Sequence, residues 1–175
     1  GLKGFDGTSM RMIAGEADVA QALIHYHFKT KEQLFEDVIA RRSGMINSAR
    51  EMSLKALQAE NAVTLEALLH AFFKPNLELG HDRDGGGHYY ARLLATTASA
   101  NDERSVSLTR RFYDPIACLY IAAIQEVLPD LDDQDVVWGY LFAVGIALTS
   151  MSKTGRAEGL SGGQCNEDDM ENILS

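Results

Sequence analysis

Residues 8–34, TSMRMIAGEADVAQALIHYHFKTKEQL, hold the densest pattern of helix signals in the chain. Thr8 or Ser9 has the hydroxyl that favours the start of a helix, and we expect a short helix from there to residue 17. Asp18 then interrupts the helical pattern. This stretch therefore predicts a short helix followed by a tight turn.

Two further helices are predicted directly after this turn. The first is short and spans about residues 20–28. Thr30 and Gln33 have the spacing of a capping box, which indicates that a long helix begins at residue 31 and runs to about residue 57. Two short helices and then a long one form the core of the pattern.

The second short helix divides into two faces when its residues are placed at 100° intervals. Ile24 and Phe28 share one face, with His27 beside them and Val19 able to join from the turn. The opposite side presents Ala22, His25 and Tyr26, and Gln21 and Leu23 flank it. A recognition helix needs a buried edge and a hydrogen-bonding edge for the major groove, but an ordinary surface helix has the same pattern.

The flanking residues resemble the DNA-binding domain of the TetR family of transcriptional regulators. The matching positions, in the order of the family pattern, are Gly4-Phe5, Thr8-Ser9, Ile13-Ala14, Ala17-Asp18-Val19, His25-Tyr26-His27-Phe28, Lys31-Glu32 and Leu34. The resemblance implies a homodimer that binds palindromic double-stranded operator DNA, most simply as a repressor. It also implies the DNA contacts of Thr8, Ser9, Arg11, Gln21, Ala22, His25, Tyr26 and Lys31.

The chain departs from the family pattern at three places. Asp18 stands where the family has a turn glycine, and we expect the turn to survive because aspartate tolerates the left-handed conformation. His25 stands where a tyrosine is usual, so the phosphate contact can shift to Tyr26. The first helix of the three-helix domain does not precede Gly1, so we expect a fragment or an omitted segment.

The remaining residues predict an all-α protein with a helical body. Further helices are expected over residues 64–79, over 89–100, over 102–128 as one helix or as two broken near Pro115, and over 132–154. Residues 1–45 then form the incomplete helix-turn-helix domain. Residues 46–175 form the regulatory domain that binds ligand and dimerises.

The helix at 132–154 is apolar nearly all round, which indicates that a second chain covers part of it. In the resemblance it is the first of two interface helices, and 166–175 begins the second. The interface residues expected are Val136, Gly139, Tyr140, Ala143, Val144 and Ala147. The alternative is a central core helix in a monomer.

Aromatic side chains of the body suit a pocket for a small apolar or amphipathic effector. The candidates are Tyr89, Arg92, Leu93, Phe112, Tyr113, Tyr120, Trp138 and Phe142. Ordinary core packing is the alternative for each of them. Arg92 is expected either to anchor a carboxylate or to lie on the surface. In this hypothesis the bound effector releases the protein from its operator.

The net charge of −9 does not exclude DNA, because residues 1–42 carry six basic and six acidic side chains and are neutral. Lys29 and Lys31 can therefore approach phosphates while the acidic body stays away. Two distant cysteines and no charged-then-apolar leader indicate a reducing cytoplasm. The uncharged run at 136–152 is marginal for a membrane span, and we expect a buried or interface helix instead.

A small all-helical enzyme or a helical interaction module without DNA binding are the competing interpretations. No nucleophile with a nearby base stands out, and no cofactor or catalytic residue is predicted. His81, Asp82, Asp84 and His88 could form a metal site in a loop, but Gly85–Gly87 indicate plain flexibility there. No metal is predicted.

Overall fold

A computed structural model of the chain describes residues 4–82 and 85–174, and the regular elements in that part are all helices. They are α1 (Met10–Glu16), α2 (Gln21–Phe28), α3 (Lys31–Ala59), α4 (Leu65–His81), α5 (Gly87–Ser99), α6 (Glu103–Phe112), α7 (Asp114–Val127), α8 (Asp133–Met151), α9 (Arg156–Leu160) and α10 (Met170–Leu174). The predicted all-α class is confirmed.

Local chemistry explains where these helices begin and end. The hydroxyls of Ser9, Thr30 and Thr64 each accept a backbone N–H in the first turn of α1, α3 and α4. The predicted helix over 102–128 is two helices, because Tyr113 leaves the helical conformation and Pro115 stands in the first turn of α7. Proline suits that position since its missing N–H has no partner there anyway.

The first two helices and the start of α3 form a small N-terminal unit. Its core consists of Met10 and Ala14 from α1 and Ile24 from α2, with Phe28 and Leu34 packed against them. The turn between α1 and α2 contains Asp18 at a φ of 50°. The left-handed conformation expected of this aspartate is therefore present.

The body is built around the long helix α3. Its buried stripe repeats at helical spacing and consists of Ile39, Ser43, Ile46, Arg50 and Leu54. One core cluster joins this stripe to α4, α7 and α8, and a second joins it to α4, α5 and α8. The arrangement places the middle of α3 at the centre of the body, where a charged residue is unusual.

The C-terminal segment lies against α4. Helix α10 contacts α4, and Asp168 forms an ion pair with Lys153 and has a carboxylate oxygen 3.7 Å from His81 Nε2. The beginning of a second interface helix expected over 166–175 is therefore a single short turn of helix beside α4, with Ser175 outside the described residues. Among described residues, no helix combines the length and the apolar character that crossing a bilayer requires.

Candidate nucleic-acid interface and internal cavity

Helix α2 presents its polar edge to solvent. Ile24 is buried in the N-terminal unit, whereas Gln21, Ala22, His25 and Tyr26 are all exposed. Tyr26 retains 73% of its accessible surface. Gln21 Nε2 and His25 Nε2 lie 3.2 Å apart, so these two side chains can share a hydrogen bond. The geometry leaves an amide, an imidazole and a phenol together on one edge, free to meet a partner.

The inner face of α2 is narrower than the sequence pattern indicates. Ile24 is buried and Phe28 half-buried, but His27 and Val19, which we expected beside them, are exposed. The short α2 is packed against the rest of the unit from one side only. Its burial rests on the apolar residues spaced one helical turn apart.

Lys31 is placed differently from the expectation of a phosphate contact. Its Nζ donates to the carbonyl oxygens of Phe5 at 3.0 Å and Thr8 at 3.1 Å, and it lies 4.0 Å from the centroid of the Phe5 ring. The ammonium group thus ties the turn before α1 to the start of α3. Lys29, which is exposed and 5.8 Å from the Tyr26 ring, is the cation that lies beside the polar edge of α2.

The other predicted DNA-contacting residues surround α1. Ser9 and Arg11 are exposed, and Ser9 Oγ accepts the N–H of Met12 at 3.2 Å. Thr8 is half-buried and donates its hydroxyl to the carbonyl of Gly4 at 2.7 Å. Ser9 is therefore the cap of α1, and Thr8 fixes the turn that precedes it.

A cavity of about 350 Å³ lies between the helices of the body and is partly open to solvent, at the low end of the ~300–1,000 Å³ typical of small-molecule sites. Helices α3 to α8 all contribute to its wall, and most of the lining side chains are apolar. The polar and charged exceptions are Arg50, Asn76, Thr109, Tyr113, Asp114, Cys118 and Tyr140. A mostly apolar internal space with a few polar groups is the usual form of an effector site.

Arg50 is the buried cation of this cavity. It is 4% exposed, donates through Nε to the carbonyl of Phe72 at 3.0 Å and through Nη2 to Asn76 Oδ1 at 3.1 Å, and lies 3.7 Å from the Phe72 ring centroid. Burial lowers its pKa to about 10, although nearby phenols act in the opposite direction. Arg50 therefore still carries its positive charge at neutral pH.

The eight predicted ligand-binding residues are not brought together. Tyr113 lines the cavity, and its hydroxyl bonds to that of Tyr90. Tyr120 is buried in the core and donates to the carbonyl of Arg50 at 3.1 Å. Phe112 is half-buried, and Tyr89 is exposed. The remaining four lie elsewhere. Arg92 and Leu93 line a second, more polar pocket next to Phe5. Trp138 and Phe142 lie on the surface of α8.

Helix α8 has one buried face and one exposed apolar face. Of the predicted interface residues, Val136, Tyr140, Ala143 and Ala147 pack into the chain's own core, Val144 is half-buried and Gly139 is exposed. The first four are thus already covered within one chain. The most exposed large apolar side chains of α8 are Trp138 at 59%, Leu141 at 48%, Phe142 at 67% and Ile146 at 56% exposure.

The loop considered for a metal gives no cluster of ligands in the described part of the chain. No group of three or more His, Cys, Asp or Glu side chains there could hold an ion. Asp84 lies outside the described residues. Asp82 instead lies 3.7 Å from Arg42 and accepts the backbone N–H of Gly85.

Sequence reasoning missed Arg50 and Asn76. A signal for Arg50 was present, because it falls on the same helical stripe as Ile39, Ile46 and Leu54, where a charged side chain must find a buried environment. Asn76 lies on the buried face of α4, one residue after Pro75, and its role follows only from its contact with Arg50.

Comparisons with known proteins agree with this architecture. The sequence profile described as "Bacterial regulatory proteins, tetR family" matches residues 1–38, and the profile "Tetracyclin repressor-like, C-terminal domain" matches residues 70–175. The fold is similar to the crystal structure of PfmR, a TetR family transcriptional regulator from Thermus thermophilus. The TM-score is 0.64 at 15% identity, over 99% of this chain and 86% of that one. No curated protein sequence matches the chain.

Proposed function

The chain belongs to the TetR family of bacterial transcriptional regulators, and from this premise we propose that it represses transcription by binding a palindromic operator as a homodimer. The single observation that carries the proposal is the exposed edge of α2. Gln21, His25 and Tyr26 are free there while Ile24 anchors the helix. Members of this family are DNA-binding regulators rather than enzymes.

In the proposed complex the amide and ring groups of α2 read base edges in the major groove. Gln21 can pair with adenine through its two amide groups, and His25 and Tyr26 reach a base or a phosphate. Lys29 takes the phosphate contact that we expected of Lys31, since its ammonium is exposed beside Tyr26. Ser9 and Arg11 approach the backbone from the start of α1.

Dimerisation is proposed through the exposed apolar face of α8. Four large apolar side chains on one helix, Trp138, Leu141, Phe142 and Ile146, form a patch that a monomer in water would not favour. Two α2 helices must then lie roughly 34–36 Å apart to enter successive major grooves. The proposed dimer interface therefore uses a different face of α8 from the one expected from sequence.

The internal cavity is proposed as the effector site, and bound effector is proposed to release the operator. A ligand that binds better to a dimer with another α2 spacing lowers the DNA affinity by its differential binding energy. We also propose that the protein acts in the cytoplasm, because operator DNA is found there in bacteria.

Selection of binding sites from random DNA, followed by footprinting, tests the DNA-binding part. We expect enrichment of a palindrome, and a loss of affinity of ~1–3 kcal/mol with relaxed preference at one position for Gln21→Ala. His27→Ala is the matched control, because His27 is exposed on the same helix about 200° round from His25. Equal losses for both variants, or no enriched sequence, would refute base reading by α2.

A further inference from the structure

The positive charge of Arg50 has no negative partner among described residues. Its hydrogen bonds go to a carbonyl and a side-chain amide, both neutral, and its ring contact is with Phe72. No ion pair joins it to a carboxylate in residues 4–82 and 85–174. Asp114, which also lines the cavity, is exposed and forms no ion pair with Arg50 either.

Burying an unpaired cation costs free energy, and holding α3 against α4 does not require one. A neutral amide could make the same hydrogen bonds to the Phe72 carbonyl and Asn76 without that desolvation cost. One nitrogen of the guanidinium, Nη1, makes no hydrogen bond to a described residue. Arg50 thus has both a charge and a donor left over, at the wall of an apolar space.

The other residues that line the cavity indicate what kind of ligand would fit beside Arg50. Apart from Arg50 and Asp114 its lining residues carry no formal charge at neutral pH, and most are aliphatic or aromatic. Such a wall favours a hydrocarbon-like body over a second anionic group, since Arg50 is the only cation among the described residues that line the cavity. The volume of about 350 Å³ admits a small molecule and not a peptide chain.

We propose that the cavity binds an apolar molecule with a single carboxylate, and that this carboxylate pairs with the guanidinium of Arg50. The inference rests on the proposed function, because it names the chemical class of the effector. Phe72 and Asn76 hold the guanidinium in place from α4, so the cation is positioned before the ligand arrives. Arg92, a candidate for this anchor from the sequence, is exposed and lines the second pocket.

Isothermal titration of the protein with sodium decanoate and with decan-1-ol, both below their aggregation limits, tests the proposal. We expect decanoate to bind the wild type at least about tenfold more tightly than decanol, as charged hydrogen bonds in an apolar site provide. Arg50→Met should remove this preference by weakening decanoate alone. Equal affinity of the two ligands for the wild type, or binding of neither, overturns the proposal.

Two further variants protect the test against a folding defect and a wrong location. Arg50→Lys keeps the charge, so the preference for decanoate should persist. Ala117→Phe fills the cavity without changing Arg50, so both ligands should be lost. Retained binding in Ala117→Phe would place the site elsewhere and overturn the proposal, as would a preference for decanoate that survives in folded Arg50→Met.

The same protein preparation is titrated with the selected operator. A decanoate preference that depends on Arg50, together with no operator binding, overturns the proposed function and leaves the ligand class standing. Operator binding with no decanoate preference overturns the ligand class and leaves the proposed function standing.

Discussion

The guanidinium of Arg104, near the start of α6, lies 3.7 Å from the centroid of the Phe5 ring in the turn before α1. The Phe5 ring also meets Phe35 of α3 edge to face, with centroids 5.0 Å apart. The body therefore contacts the N-terminal unit through a cation over a pair of aromatic rings. Because Thr109 of the same helix lines the cavity, α6 connects the cavity wall with the DNA-binding unit.

Replacing Arg104 with alanine should loosen the N-terminal unit without unfolding the body. Cation–π contacts contribute ~0.5–2 kcal/mol, and the ring contact is the one that joins Arg104 to the N-terminal unit, since its other partner, Asp102 at 3.9 Å, lies in the body. We expect faster amide hydrogen exchange in residues 4–16 and unchanged exchange in α8. Arg110→Ala, an exposed arginine on the same helix, is the control. Unchanged exchange in residues 4–16 of Arg104→Ala would contradict this role.

Lys31 and Lys29 should separate a structural cation from one that contacts DNA. Lys31→Ala leaves two carbonyl acceptors without their donor, so we expect it to lower the free energy of unfolding by ~1–3 kcal/mol. Lys29→Ala should leave stability unchanged and reduce the slope of log affinity against log salt concentration by ~1. Urea unfolding and DNA titrations at several salt concentrations measure both. A lower slope for Lys31→Ala with full stability would restore the phosphate contact predicted from sequence.

The N-terminal unit was largely predictable because its information is local. Hydroxyl caps at Ser9 and Thr30, a residue tolerant of positive φ at Asp18, and an apolar residue at Ile24 all act within one or two helical turns. The placement of Lys31 has a non-local cause. Its partners, the carbonyls of Phe5 and Thr8, are more than 20 residues away in sequence, and backbone acceptors carry no sequence signal.

The cavity could not be predicted to the same degree, because six helices meet around it. The ligand-binding residues predicted from sequence were mostly aromatic, yet Trp138 and Phe142 face solvent and Tyr120 packs in the core. The buried face of α8 could not be predicted from the sequence either, because that helix is apolar all round and no single stripe is more apolar than the rest. Arg50 had a local signal, a charged residue on the helical stripe that carries Ile39, Ile46 and Leu54.

Stability at alkaline pH should depend on Tyr120. Burial raises its pKa to about 12 from an ordinary value of 10, with Arg50 acting in the opposite direction. The folded protein therefore holds this proton more tightly than the unfolded chain, so the contribution is complete below pH 10 and is lost as the pH rises toward 12. Between about pH 9 and 11 the wild type should lose about 1 kcal/mol more unfolding free energy than Tyr120→Phe does. Urea unfolding at both pH values measures the difference, and parallel losses in the two proteins would show that this phenol does not titrate as a buried group.

The exposed face of α8 should decide the oligomeric state. Phe142→Glu places a charge at the most exposed of its large apolar side chains, and a carboxylate buried in an apolar interface costs several kcal/mol without a partner. We expect sedimentation velocity to show a dimer for the wild type and a monomer for Phe142→Glu at micromolar concentration. Met52→Glu is the matched control, because Met52 is equally exposed at 66% but lies on α3. Operator affinity should fall with the dimer, since one α2 helix alone reads half of a palindrome. A Phe142→Glu protein that remains dimeric would show that the interface lies on another face. The spacing of the two α2 helices would then be set by that other interface.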